Sequence, residues 1–279
     1  MSEIKAADVN KLRQLTGAGM MDCKEALQES GGDIDEAVNY LRKKGQKVSE
    51  KRADKEASEG AIFAATSDDY KKGAIVKLNC ETDFVAKTND FLNLGDNIAK
   101  LVLNKQPGDL EALKETSTEE GTSFNDLLKD EMAKIGEKIE VSSFQLLSAE
   151  SVISYIHAGN QIGVLVGLNK PYSEEIGKAG YSLAMQIAAM KPLGLNENDI
   201  PSEVVENERA IIKHQVEEEG KTGDIAEKIT EGKIQKFYKE KALLQQQFVK
   251  DSSKTVGEFL KTVDEGLEIT AFKREAIQG

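Results

Sequence analysis

Proline occurs only four times in the 279 residues, and tryptophan not at all. Proline breaks helix interiors, so its scarcity predicts long helices. Cysteine is limited to Cys23 and Cys80. Two cysteines do not make a disulfide framework, and both fall where a small buried hydrophobe fits. Histidine is as rare, at His157 and His214. Both cysteines are remote from both histidines in sequence, so no cluster has metal-ligand spacing. Neither a metal nor a cofactor is expected. No apolar run follows the first methionine, so no secretory leader is expected. Apolar runs such as Ile162 to Leu168 are far short of the roughly 20 residues of a membrane helix. These absences predict a cytoplasmic protein without membrane contact. Positive charge is in deficit as well, since 37 Lys and Arg against 49 Asp and Glu leave a net charge of -12. Nucleic-acid binding needs cations that release counterions from phosphates, so direct DNA or RNA contact is not expected. The local basic run Lys43-Lys44-Gly45-Gln46-Lys47 reads as a solvated helix end.

What is present is a globular composition, 39% hydrophobic and 31% charged, in a chain long enough for about two domains. Residues 1–45 read as three short helices. The first carries Val9 and Leu12 on one face and ends at Thr16-Gly17-Ala18-Gly19. The second runs from Met20 to Ser30 and buries Cys23 and Leu27. Asp33 caps the third, which carries Ile34, Ala37, Val38 and Leu41 at helical spacing. Gly45 is expected to stop it. The pattern resembles a ubiquitin-associated-type (UBA-like) bundle. Met20 and Met21 are adjacent and cannot both face one core, so one is free to meet a partner. Residues 46–58 read as an exposed helical linker.

From Glu59 the period changes. Residues 59–137 read as strand, turn, strand and helix, with Gly73 to Leu78 as a buried strand and Asn89 to Asn104 as the helix. Residues 138–201 repeat that grammar, opening on a strand from Lys138 to Leu147 and turning at Gly159-Asn160. Residues 202–245 read as an antiparallel coiled-coil hairpin. Its seam takes Val204, Val205, Ile211, Ile212 and Val216 going out, and Ile225, Ile229, Ile234 and Phe237 returning, with Asp224 as cap. Residues 246–279 give a capped helix and a closing strand. The fold class expected is α+β: a small N-terminal three-helix bundle, two repeated α+β core subdomains with antiparallel sheets, and a projecting helical hairpin.

Few residues offer chemistry. Gly220-Lys221-Thr222 imitates the end of a phosphate-binding loop, but Gln215 stands where that motif needs its first glycine. Cys80, His157 and Asp83 can be drawn as a nucleophilic triad, yet nothing flanking Cys80 has the character of an activated thiol. The most unusual stretch is Thr82-Asp83-Phe84-Val85, between a strand and a helix. A turn is built more cheaply from Gly, Asn or Ser. An aromatic there is either buried under a helix start or displayed for a purpose.

The stretches Leu12 to Leu27 and Asn79 to Lys87, with Tyr155-Ile156-His157, Ile162 to Val166, Ile225 to Lys228 and Ser253 to Gly257, carry a resemblance to the elongation factor Ts family. They occur in the family's order over nearly the whole length. The resemblance implies a guanine-nucleotide exchange factor that binds GDP-bound elongation factor Tu and performs no covalent chemistry of its own. It implies that Thr82, Asp83, Phe84 and Val85 dislodge magnesium from that partner. It implies further partner contacts at Leu12, Met20, Met21 and His157, with the hairpin as an accessory arm. The chain departs from the family pattern at Ala158-Gly159-Asn160-Gln161 and at Met190-Lys191-Pro192-Leu193. A competing expectation is a UBA-like adaptor without exchange activity, which leaves the Phe84 turn unexplained.

Overall fold

A computed structural model describes residues 4–118 and 121–278. The chain divides into two compact units, one formed by Met1–Phe63, Val76–Phe144 and Ile277–Gly279, the other by Ala64–Ile75 and Gln145–Ala276. Helices and small antiparallel sheets alternate along the chain, which makes the fold α+β.

In the first unit, α1 (Ala6–Thr16) ends at Gly17, whose φ of 67° lets its N–H return to the Arg13 carbonyl. Helix α2 spans Met20–Glu29. Helix α3 spans Ile34–Arg52, and its cap Asp33 accepts a hydrogen bond from the Glu36 N–H. Val9, Leu12, Cys23, Ala26, Leu27 and Ala37 make the core of this bundle. Gly45 does not stop α3, as the sequence suggested; the helix runs through it. A Cβ at Gly45 would lie 3.1 Å from the Cβ of Ala133. The glycine therefore lets α3 approach α7 (Phe124–Ile135) closely. The basic run is no helix end either, because Lys44 lies inside α3 and pairs with Asp22 at 2.8 Å and Glu25 at 2.6 Å. Beyond α3 the linker is mostly exposed, and its Lys55 carbonyl accepts from Lys138 Nζ at 3.0 Å.

Strands β1 (Glu59–Thr66), β2 (Lys72–Cys80) and β3 (Ile139–Ser148) form one sheet in the order β1-β2-β3. The expected repeat opened on this third strand, whereas its hydrogen bonding joins it to β2. Alternating sequence marks a strand but not its neighbour. A single helical turn, α4 (Asp83–Ala86), precedes α5 (Asn89–Lys105). Gly95 of α5 admits the Phe63 ring, which a Cβ there would meet at 2.2 Å. Helix α6 (Leu110–Glu115) follows, with the Asp109 side chain accepting from the Ala112 N–H as its cap.

In the second unit, β4 (Ser151–Ile156), β5 (Ile162–Leu168) and β8 (Ile269–Ala276) form an antiparallel sheet in the order β4-β5-β8. The turn from β4 to β5 uses positive φ at Gly159 and Asn160, 83° and 56°. Helix α8 (Glu174–Met190) packs Leu183, Ala184 and Ile187 onto this sheet. Helices α9 (Ser202–Glu218) and α10 (Gly223–Lys241) are antiparallel partners. Their core is Ile212, Val216, Ala226 and Ile234; Val204, Ile211 and Ile225, expected in the seam, are exposed. Thr222 rather than Asp224 occupies the cap position. The small hairpin of β6 (Gln247–Phe248) and β7 (Asp251–Thr255) was not expected, and it leads into α11 (Val256–Val263). Thr255 and Glu258 form a reciprocal capping box at the start of α11.

Candidate functional site

Strand β2 ends at Cys80, and the chain then turns outward through Glu81 and Thr82 into α4. Four residues cannot sustain a helix alone, because the first turn costs more order than its hydrogen bonds return. Contacts from elsewhere hold this one. The Thr82 N–H donates to Glu137 Oε2 at 3.0 Å, and its hydroxyl donates to Glu137 Oε1 at 2.7 Å. The same hydroxyl accepts from the Val85 N–H at 3.3 Å, which caps the turn. The Thr82 carbonyl accepts from Cys80 Sγ at 3.1 Å and from the Ala86 N–H at 3.3 Å. Beside it, Glu81 accepts both from Arg52 Nη1, at 2.8 and 2.9 Å, and from the Lys138 N–H at 2.7 Å. Burial alone would raise the Glu81 pKa, but the Lys138 N–H and the Arg52 guanidinium outweigh it and the carboxyl sits below its ordinary value.

From this braced base Phe84 stands 80% exposed. The buried alternative is therefore excluded. Asp83 forms an exposed pair with Lys87 at 2.7 Å, and this hydrogen bond raises the Lys87 pKa. The turn thus displays a whole aromatic ring next to a carboxylate whose present partner is weakly held, since solvent screens an exposed pair.

The other expected contacts divide. Met20 and Met21 are both exposed, at 56% and 74%, so the pair offers two side chains rather than one. Leu12 is fully buried in the bundle core and has no surface to present. That expectation is corrected: Leu12 supports the bundle, and Leu15, one turn on, is the exposed leucine of α1. His157 lies in the other unit, exposed, just beyond β4. Its Nδ1 shares a hydrogen bond of 2.7 Å with the Tyr155 hydroxyl. Its ring also borders a 210 Å³ groove with Met185, Ala188 and Val249.

The nucleophilic reading of Cys80 fails on its surroundings. The thiol is buried, and burial together with the Glu137 carboxylate pushes its pKa up to about 12. It donates to a backbone carbonyl rather than meeting a base. No group of three or more His, Cys, Asp or Glu among the described residues could hold a metal ion. No helix among them is long and apolar enough to cross a membrane.

Comparison with known proteins draws these features together. A family profile described as "Elongation factor TS" matches residues 81–278, beginning at the glutamate that braces the turn. The chain belongs to the elongation factor Ts family. The elongation factor Ts of Christiangramia forsetii is 48% identical over 279 residues, covering 99% of this chain and 100% of that protein. Those of Cytophaga hutchinsonii and Aquifex aeolicus are 45% and 43% identical, covering 98% and 99% of this chain and 99% and 98% of their own lengths. The likeness to these elongation factors therefore extends over the N-terminal bundle, which the family profile does not reach.

Arg52, Glu81 and Glu137 escaped the sequence reading as members of one site. Glu81 lies inside a motif already singled out, but Arg52 and Glu137 stand 29 and 55 residues from their partners. Only the pairing of the chain shows that they converge.

Proposed function

We propose that this chain is a guanine-nucleotide exchange factor that binds elongation factor Tu in its GDP form and lowers its hold on magnesium and GDP. The observation that carries the proposal is Phe84, an aromatic ring held 80% exposed on a turn braced from two other segments. A rigid aromatic anchor loses little side-chain freedom on docking, which is why such residues dominate interface energetics. Phe84 acts as a wedge between elements of the partner. Asp83 exchanges its Lys87 pair for donors that otherwise hold the metal and phosphate loop. Thr82 and Val85 set the turn that carries both. Met20, Met21 and Leu15 of the bundle and His157 of the second unit are further contacts, and the α9–α10 hairpin is an accessory arm.

No covalent step is required. A protein that weakens nucleotide binding is itself bound more weakly once nucleotide returns, because coupling between two ligands is reciprocal. GTP or GDP entry therefore releases the factor. The magnesium part of the proposal has a direct test. Release of a fluorescent GDP analogue from elongation factor Tu is timed with and without this chain, in magnesium and in excess chelator. Strong acceleration is expected in magnesium. In chelator, unassisted release rises and the factor's added effect shrinks. Equal acceleration in both conditions refutes the magnesium mechanism. Binding without acceleration in either refutes exchange and leaves an adaptor.

A further inference from the structure

We infer that Glu137 is a positioning residue for the Phe84 turn, acting through a reciprocal clasp between residues 81–82 and 137–138. The inference rests on the reading of Phe84 as the exchange wedge. Each segment contributes one carboxylate and one backbone N–H to the other. The Thr82 N–H donates to Glu137, and the Lys138 N–H donates to Glu81. The Arg52 guanidinium closes the Glu81 side. A hydroxyl has one proton to give. Glu137 Oε1 accepts the hydrogen bond from the Thr82 hydroxyl and so fixes the rotor, leaving an oxygen lone pair for the Val85 N–H. The cap of α4 is thus linked to Glu137 through the Thr82 hydroxyl.

Carboxylate chemistry is needed here. Glu137 accepts with both oxygens, one from a nitrogen and one from a hydroxyl. Glutamine keeps the length but replaces one acceptor with a donor, so either the Thr82 N–H or the Thr82 hydroxyl proton loses its acceptor. The backbone of Glu137 is itself fixed, since it follows the left-handed Gly136 (φ 81°) that ends α7 and leads into β3. The clasp therefore ties the wedge to a helix end, a strand start and the last residue of α3. A four-residue helix does not keep its direction on its own hydrogen bonds.

Two measurements test this. The first needs no partner. Hydrogen exchange at the Thr82 and Val85 amides is followed in the native chain and in Glu137→Gln. Exchange at least tenfold faster at both is expected, as one charged hydrogen bond contributes roughly that factor; unchanged protection overturns the inference. The second is a double-mutant cycle on accelerated GDP release. Glu137→Ala is expected to slow release about tenfold when Phe84 is present, and by less than about twofold in the Phe84→Ala background. An equal loss in both backgrounds marks a merely structural role and overturns the proposal. Glu137→Gln carries the same cycle if the alanine variant does not fold. If Phe84→Ala is as active as the native chain, the wedge reading falls and takes this inference with it, whatever the amide exchange shows. If Phe84→Ala is impaired and Glu137→Ala is not, only the clasp falls.

Discussion

Replacing Phe84 by alanine separates folding from function. The side chain is 80% exposed, so folding removes only a fifth of its surface from water. Full burial of a phenylalanine contributes ~1.5–3 kcal/mol. A fifth of that is about 0.3–0.6 kcal/mol, the ordinary range for a surface substitution. The same ring buried in a partner gains the remaining four fifths, about 1.2–2.4 kcal/mol, or about 8- to 60-fold in the stability of the productive complex. The expected result is a melting temperature within a few degrees of the native chain, with accelerated GDP release reduced by one to two orders of magnitude. Calorimetry and stopped-flow release of a fluorescent GDP analogue supply the two readings. A large fall in melting temperature refutes the reasoning, because the ring then serves the fold. So does unchanged exchange, because the exposed ring then serves nothing.

Three further outcomes follow from the same geometry. Gly95→Ala places a Cβ 2.2 Å from the Phe63 ring, and overpacking of this kind costs about 1–3 kcal/mol. Denaturant unfolding should show that loss, and Phe63→Leu in the same chain should recover part of it. Cys23 and Cys80 are both buried, and burial raises both thiol pKa values. A thiol reagent at pH 8 should label neither quickly in the native chain and both once denaturant is added; rapid native labelling contradicts the packing of β2. Glu81 has a folded pKa below its ordinary 4.5. A lowered carboxylate stabilises above the unfolded value, and that contribution is lost as pH falls through the folded one. The stability difference between the native chain and Glu81→Gln should therefore be constant near neutral pH and shrink below about pH 4.5, measured by urea unfolding at each pH.

The sequence is legible where the cause of a structure is local. Asp33, Thr88, Ser173 and Thr255 cap helices that begin where the hydrophobic period begins. The Gly159-Asn160 turn follows from two residues that accept positive φ. Errors collect where a distant segment decides. Gly45 carries the same local signal as a helix stop, but Ala133 of α7 makes it a point of close approach. Strand β3 alternates as it would in either sheet, and its partner is chosen by the fold. Ile211 and Ile225 fit a heptad, yet the seam closes on neighbouring Ile212 and Ala226 instead. Leu12 shares the Val9 face that helical spacing marks as apolar and is core, whereas Leu15 on the same helix stays at the surface.

The candidate site divides along the same line, and the division has a physical reason. Phe84 was conspicuous because local rules argue against it: a turn gains nothing from an exposed aromatic, and solvent opposes its display. A residue that violates local economy must be explained by something outside the chain. Glu137 was invisible because it violates nothing. A glutamate after a helix-ending glycine is unremarkable, and its worth depends wholly on Thr82, 55 residues away. A residue proposed to meet a partner thus stands out as an oddity, whereas one proposed to aim it looks like ordinary surface until the fold is known. In this chain one oddity depends on one such residue. The strength of that dependence is the coupling between Phe84 and Glu137, and a value near zero would mean that α4 holds its direction by means other than the clasp.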